Sequence, residues 1–141
     1  MLYDKILVAI DGSDQSNHAL SEAIRVAKFT GAAMTLVHVN SVRTSGSIIS
    51  AAEQLGQILE ENGKAALEEA KKMVAAECDG PVDALLLEGD AADRIVETAH
   101  NGGYDLIVIG ARGLSKLSGL ILGSVSQGVI KNSPCPVLLV K

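Results

Sequence analysis

Residues 5–13 read Lys5-Ile6-Leu7-Val8-Ala9-Ile10-Asp11-Gly12-Ser13. The apolar run stops abruptly at Asp11-Gly12, and a short apolar run bounded by turn residues is a buried strand. From Ser13 to about Phe29 the pattern changes. Ala19, Leu20, Ala23, Ile24 and Ala27 recur at spacings of three and four, which gathers them on one helix face. Gly31 is placed to end that helix. The chain therefore passes from strand to turn to amphipathic helix, and its remainder repeats the alternation.

Ala33–Val39 reads as the second strand. Asn40 to about Ser50 is polar, with Gly46 and five Ser or Thr residues. A loop of that length is long for a compact domain and points to a functional role. Ala51–Glu77 is a long helical stretch with an apolar stripe of Leu55, Leu59, Ala66, Ala70, Met73 and Val74; Gly56 and Gly63 weaken it and allow a bend. Asp79-Gly80-Pro81 breaks the chain, and Val82–Leu87 is the third strand. Asp90 caps a short helix with Ile95, Val96 and Ala99 inward, which ends at Asn101-Gly102-Gly103. Tyr104–Ile109 is the fourth strand. A glycine-rich segment, 110–123, leads into a helix from Ser124 to about Lys131 with Val125, Val129 and Ile130 on one side. Pro134 stops it, and Pro136–Val140 is the last strand.

The order is β-α-β-α-β-α-β-α-β. Strands separated by helices do not form hairpins, so the sheet is expected to be parallel with helices on both faces. The near-continuous apolar strands fit burial on both sides. No composition shift, linker or repeat interrupts residues 1–141, so one domain is expected.

Composition narrows the function. The 141 residues are 48% hydrophobic and 21% charged, which excludes a disordered chain. Seventeen acidic against twelve basic residues give a net charge of −5, which argues against a nucleic-acid or membrane surface. Aromatic residues are 2% with no Trp, so base-stacking platforms are nearly excluded. No apolar run approaches the roughly 18 residues of a membrane span. Met1–Lys5 leads directly into a strand without the basic region of a secretory signal, so a cytoplasmic location is expected. Cys78 and Cys135 form no C-x-x-C unit, and reduced thiols are expected. His18, His38 and His100 stand singly, which argues against a zinc site.

In an open parallel sheet, ligands bind beyond the strand carboxyl ends, at the switch point of strand order. Ala9-Ile10-Asp11-Gly12-Ser13, Val39-Asn40 and Gly110-Ala111-Arg112-Gly113 all fall at that edge. Two residues separate Gly110 from Gly113, nine separate Gly113 from Gly123, and Ser124 follows. Glycine lets the backbone approach a phosphate closely. Gly123-Ser124-Val125-Ser126 opens a helix whose free N–H groups and positive dipole end favour an anion. The Ser124 and Ser126 hydroxyls can add donors, and Arg112 a charge-assisted contact, with Lys116 a weaker candidate. Each residue taken singly also reads as a turn, a cap or a solvated charge; the combined spacing favours phosphate binding. For Asp11 two readings stand open, a ribose acceptor and a turn-and-cap residue. Ser13 reads as a cap.

Other signals are missing. The chain has no G-x-x-x-x-G-K-[ST] loop, no G-x-G-x-x-G and no G-x-S-x-G elbow. No spacing forces a nucleophile–base pair. His38 lies in an apolar strand and reads as a hydrogen-bonded structural histidine. Asp105, near the start of strand four, belongs at the opposite sheet edge.

Taken in order, these residues resemble a single-domain universal stress protein. The resemblance spans essentially the whole chain. It rests on residues 5–13, Glu88-Gly89-Asp90, Asp105-Leu106-Ile107-Val108-Ile109-Gly110, Gly123-Ser124-Val125-Ser126 and Ser133-Pro134-Cys135-Pro136-Val137-Leu138-Leu139-Val140. It implies a Rossmann-like α/β fold of the adenine nucleotide alpha hydrolase type, with five parallel strands in the order 3-2-1-4-5. One branch of the family binds ATP through G-x2-G-x9-G-[ST], which this chain carries as Gly110, Gly113, Gly123 and Ser124. By matching position, Ala9 and Asp11 would line the adenosine side and Val39 would meet the adenine through its backbone. Gly110, Arg112 and Gly113 would hold ribose and phosphates; Gly123, Ser124, Val125 and Ser126 would hold the phosphate tail. Mg²⁺ would be held through the phosphates and water, with no protein ligand; AMP or ADP are alternative occupants. The family also implies a homodimer through the last strand. Val137–Val140 would be an exposed apolar edge in a monomer, which invites pairing with another chain.

Three functions follow for comparison. The first is a regulatory nucleotide-binding module with at most slow hydrolysis, acting on a protein partner yet to be identified. The second is an ATPase or nucleotidyl-transfer enzyme. Phosphate-cleaving relatives carry an S-G-G-x-D-S loop after strand one, whereas this chain has Asp11-Gly12-Ser13-Asp14-Gln15-Ser16. The third is a nucleotide-free interaction protein.

Overall fold

The computed structural model describes residues 2–41, 49–112 and 122–141. Nine elements follow one another: β1 (Lys5–Ala9), α1 (Asp14–Thr30), β2 (Ala33–Asn40), α2 (Ile49–Ala75), β3 (Val82–Glu88), α3 (Ala91–Gly102), β4 (Leu106–Gly110), α4 (Ser124–Asn132) and β5 (Val137–Val140). The strands form one sheet in the order β3-β2-β1-β4-β5, and every pairing is parallel. The order implied by the resemblance is the order observed.

Alternation along each strand divides the apolar residues between two cores. Ile6, Val8, Leu36 and Val108 face α1 and α2, where Leu20, Ile24, Leu67 and Val74 meet them. Leu7, Val37, Ile107 and Ile109 face α3 and α4, where Ile95, Ala99 and Val129 complete the second core. With both faces covered, a strand has no polar side to show, which is why β1 and β4 read as unbroken apolar runs.

The helix ends follow the sequence signals. Ser13 caps α1, its Oγ accepting from Ser16 N–H at 3.1 Å, and Gly31 ends the helix at φ 78°. Asp90 caps α3 through Oδ2, and Gly103 closes it at φ 66°. The long helix α2 departs from expectation in one respect. Its 27 residues measure about 40 Å at 1.5 Å per residue, whereas eight-residue β2 spans about 26 Å. The amino-terminal part therefore outruns the sheet, and Leu55 and Ile58 are each 53% exposed. Leu55 does not join the buried stripe expected of it. Ile130, expected on one side of α4 with Val125 and Val129, is likewise exposed; the helix buries Ser126 and Val129, three residues apart, instead.

At the amino-terminal sheet edge, Asp105 accepts the Asp4 N–H at 2.9 Å and the Lys5 N–H at 3.1 Å. Its own N–H donates to the Lys5 carbonyl. The Lys5 ammonium donates to the Gly102 carbonyl and sits 4.6 Å above the Tyr104 ring. These bonds join β1 to the entry of β4 at the end opposite the candidate site, where the sequence puts Asp105. Cys78 and Cys135 are free, half-buried thiols. Among the described residues no helix is long and apolar enough to cross a membrane.

Candidate functional site

The strand order reverses direction at β1 and β4. A cavity of about 250 Å³ opens at their carboxyl ends. Of the ten residues singled out in the sequence, nine line it: Ala9, Asp11, Val39, Gly110, Arg112, Gly123, Ser124, Val125 and Ser126. Gly113, the tenth, lies outside the described residues, as do Lys116 and most of the polar loop after β2.

Asp11 resolves into a turn residue that also faces the cavity. Gly12 adopts φ 82°, a left-handed conformation that an L side chain would strain. That turn brings Asp11 Oδ1 to the Ser13 N–H at 2.9 Å and the Ser13 hydroxyl at 2.5 Å. The Asp11 N–H in turn donates to Ser16 Oγ at 3.3 Å. One carboxylate oxygen thus builds the α1 cap, and Oδ2 has no partner among the described residues. The two readings of Asp11 are compatible.

Val39 owes its position to the end of β1. The Ile10 N–H donates to the Val37 carbonyl at 2.8 Å, so the Val37 backbone groups face β1. Two residues on, Val39 faces the same side, yet the β1–β2 register ends at Ala9 opposite Val37. The backbone N–H and C=O of Val39 therefore turn toward the place β1 has vacated, beside the apolar Val37 and Ile95. A flat heterocycle with a donor and an acceptor on one edge suits that position.

His38 is held as a structural histidine. Nδ1 lies 2.6 Å from the Ile10 carbonyl and Nε2 lies 2.9 Å from Asn40 Oδ1. A backbone carbonyl only accepts, so Nδ1 carries a proton. Gly63 of α2 covers the ring: a Cβ there would sit 2.6 Å from His38 Cδ2. Gly63, read as a weak point of the helix, is the notch that admits this side chain.

The other wall starts where the chain leaves β4. The Ala111 carbonyl accepts the Gly123 N–H at 2.8 Å, so the segment between them leaves and returns at one point. The Ser126 hydroxyl donates to the Gly110 carbonyl at 2.7 Å and approaches the Ala111 carbonyl at 3.2 Å. This corrects one expectation. Ser126 is 3% exposed and its single hydroxyl proton serves the backbone, so it is not a free donor toward an anion. Ser124 is exposed and keeps that option. Gly123 supplies no side-chain cap to α4, so the first-turn N–H groups face the cavity with the positive end of the helix dipole. α1 and α3 begin at the same sheet edge, and Ala91 at the start of α3 lines the cavity too.

Sequence reading missed Ile95, Ala91 and Gln15. Ile95 carried only a core signal, and Gln15 carried none. Gln15 accepts the Arg112 N–H through Oε1 at 2.5 Å, and its backbone lies 3.2 Å from where a Cβ on Gly110 would stand. Among the described residues no group of three or more His, Cys, Asp or Glu side chains is placed to hold a metal ion.

Known proteins match both sequence and architecture. The model of the universal stress protein family matches residues 2–141. A universal stress protein of Methanocaldococcus jannaschii is 40% identical, over 99% of this chain and 83% of its own length. The solved universal stress protein UspA of Lactobacillus plantarum superposes with a TM-score of 0.91 at 25% identity, covering 99% of this chain and 98% of its own. A universal stress protein solved in complex with cAMP gives 0.79 at 29% identity, covering 100% and 99%. The universal stress protein of Archaeoglobus fulgidus solved in complex with dAMP gives 0.71 at 27%, covering the full length of both chains. With the family model spanning all but the first residue, this chain belongs to the universal stress protein family.

Proposed function

We propose that this protein binds ATP in the β1–β4 cavity and acts in stress response as a nucleotide-dependent regulatory module. The observation that carries the reading is that nine residues named from the sequence line one cavity whose two ends differ in chemistry. The Val37–Val39–Ile95 end is apolar and offers the Val39 backbone, which suits adenine. The Gly110–Arg112 and Gly123–Ser126 end offers glycine backbone, an uncapped helix terminus and a guanidinium, which suits phosphates. The complexes of similar proteins with cAMP and dAMP support an adenine nucleotide as the ligand class. AMP and ADP would occupy the adenosine part in the same way.

In this reading Mg²⁺ is carried in by the phosphates and water rather than by protein ligands. No catalytic residue is assigned, and any hydrolysis is slow. The protein works in the cytoplasm as a homodimer through β5, and occupancy changes a surface that a protein partner reads. β5 supports the dimer: among the described residues it pairs only with β4, and its four half-buried residues border a strand edge that none of them covers.

The test is chemical identification of what the protein carries. Freshly purified protein is denatured and the released small molecules are separated. Near-stoichiometric adenine nucleotide supports the reading. Protein that carries none, and takes up none when incubated with ATP and Mg²⁺, overturns it.

A further inference from the structure

We infer that Gln15 is a positioning residue, a latch from α1 that fixes the start of the glycine-rich segment for phosphate binding. The inference rests on the nucleotide reading above. Two of the anchors on the root of that segment come from α4 and its N-cap: the Gly123 N–H on the Ala111 carbonyl and the Ser126 hydroxyl on the Gly110 carbonyl. The third comes from the opposite wall. The Arg112 N–H points at Gln15 Oε1, 97 residues away in sequence, at 2.5 Å. A backbone N–H only donates, so the oxygen of the carboxamide must face it.

Gln15 does not line the cavity, so it acts through Arg112. The bond sets the Ala111–Arg112 peptide plane, from which the Arg112 side chain and the following backbone depart. It also sets the distance between α1 and the root of the segment. The absence of a Cβ on Gly110 permits that distance, because one would press on the Gln15 backbone at 3.2 Å. The glycine and the glutamine therefore work as a pair, one allowing the approach and the other fastening it. What they hold is the phosphate end of the site; the Val39 end is built on β2 and α3.

The experiment compares wild type, Gln15→Met and Gln15→Glu. Met keeps the length and helix propensity but replaces the carboxamide oxygen with a weakly accepting thioether; Glu keeps an acceptor. Hydrogen exchange of the Arg112 amide is read by NMR in ligand-free protein, and ATP and adenosine are titrated by calorimetry. Arg112 should be protected in wild type and Gln15→Glu and exchange at least about tenfold faster in Gln15→Met. The Ala111 amide, bonded to the Val140 carbonyl, should not change. Gln15→Met should bind ATP about three- to tenfold more weakly, the size of one net hydrogen bond, and adenosine within twofold of wild type. An unprotected Arg112 amide in wild type overturns the inference. So does wild-type ATP affinity in Gln15→Met, or an equal loss for ATP and adenosine. A wild type that binds neither ligand overturns the nucleotide reading and this use of the latch together; Arg112 protection would then show a bond without that role.

Discussion

Ser126 on α4 donates its hydroxyl to the carbonyl of Gly110 at the end of β4, across 2.7 Å. A residue that the spacing offered as a phosphate donor is spent instead on joining the two backbone elements that frame the cavity. Ser126→Ala leaves the Gly110 and Ala111 carbonyls without that partner in a buried place. It should cost about 1–3 kcal/mol of stability, read from urea unfolding. Ser124→Ala, at an exposed position, should leave stability within about 0.5 kcal/mol and lower ATP affinity alone. Equal stabilities for the two variants would contradict this division.

The two glycines of α2 should respond with opposite signs. Gly56 has nothing within 4 Å of an added Cβ, so Gly56→Ala should stabilise the protein by about 0.5–1 kcal/mol through helix propensity. Gly63→Ala gains the same propensity but places its methyl 2.6 Å from His38 Cδ2 and 2.8 Å from Leu86 Cδ1. His38 is fastened at both ring nitrogens, so overpacking should outweigh the gain and leave a net loss of about 1–2 kcal/mol. Thermal unfolding of both variants decides the signs.

These cases show how much the sequence carried. Element order and burial were legible because a sheet covered on both faces imposes two simple periods, alternation in strands and 3.6 in helices. The cavity was legible because its wall is built from glycine and from a helix entry of glycine and serine, both local signals. What was not legible depends on distance in three dimensions. Nothing in the period of α2 says that it outruns β2, so Leu55 reads as core. Nothing near Gln15 says that a backbone N–H from residue 112 will meet it. Ser126 has the right residue type in the right place, yet its role turns on which oxygen lies nearest.

Asp105 should act on stability alone. Its carboxylate accepts the backbone N–H groups of Asp4 and Lys5, at the entry of β1 and the edge away from the cavity. Asp105→Ala should cost about 1–3 kcal/mol and leave ATP affinity unchanged. A loss of affinity in a variant that remains folded would show that the two edges are coupled, against this account.

The proposed dimer can be tested on one backbone N–H. The Ile107 N–H donates to the Pro136 carbonyl and the Ala111 N–H to the Val140 carbonyl. Backbone groups alternate sides, so Leu138 and Val140 face β4 while Val137 and Leu139 face outward. Leu139→Pro removes an outward donor and spares the bonds to β4. Sedimentation should show a wild-type dimer at micromolar concentration and a folded Leu139→Pro monomer. A wild-type monomer, or a variant dimer of undiminished strength, would contradict pairing through this strand.

The most direct measurement is a calorimetric titration of nucleotide-stripped wild type with ATP and Mg²⁺, beside Gly113→Val. Micromolar affinity at one site per chain in wild type, lost in a variant that keeps its fold, is what the account predicts. A folded wild type that releases no heat, or a Gly113→Val protein that binds as wild type does, would contradict it.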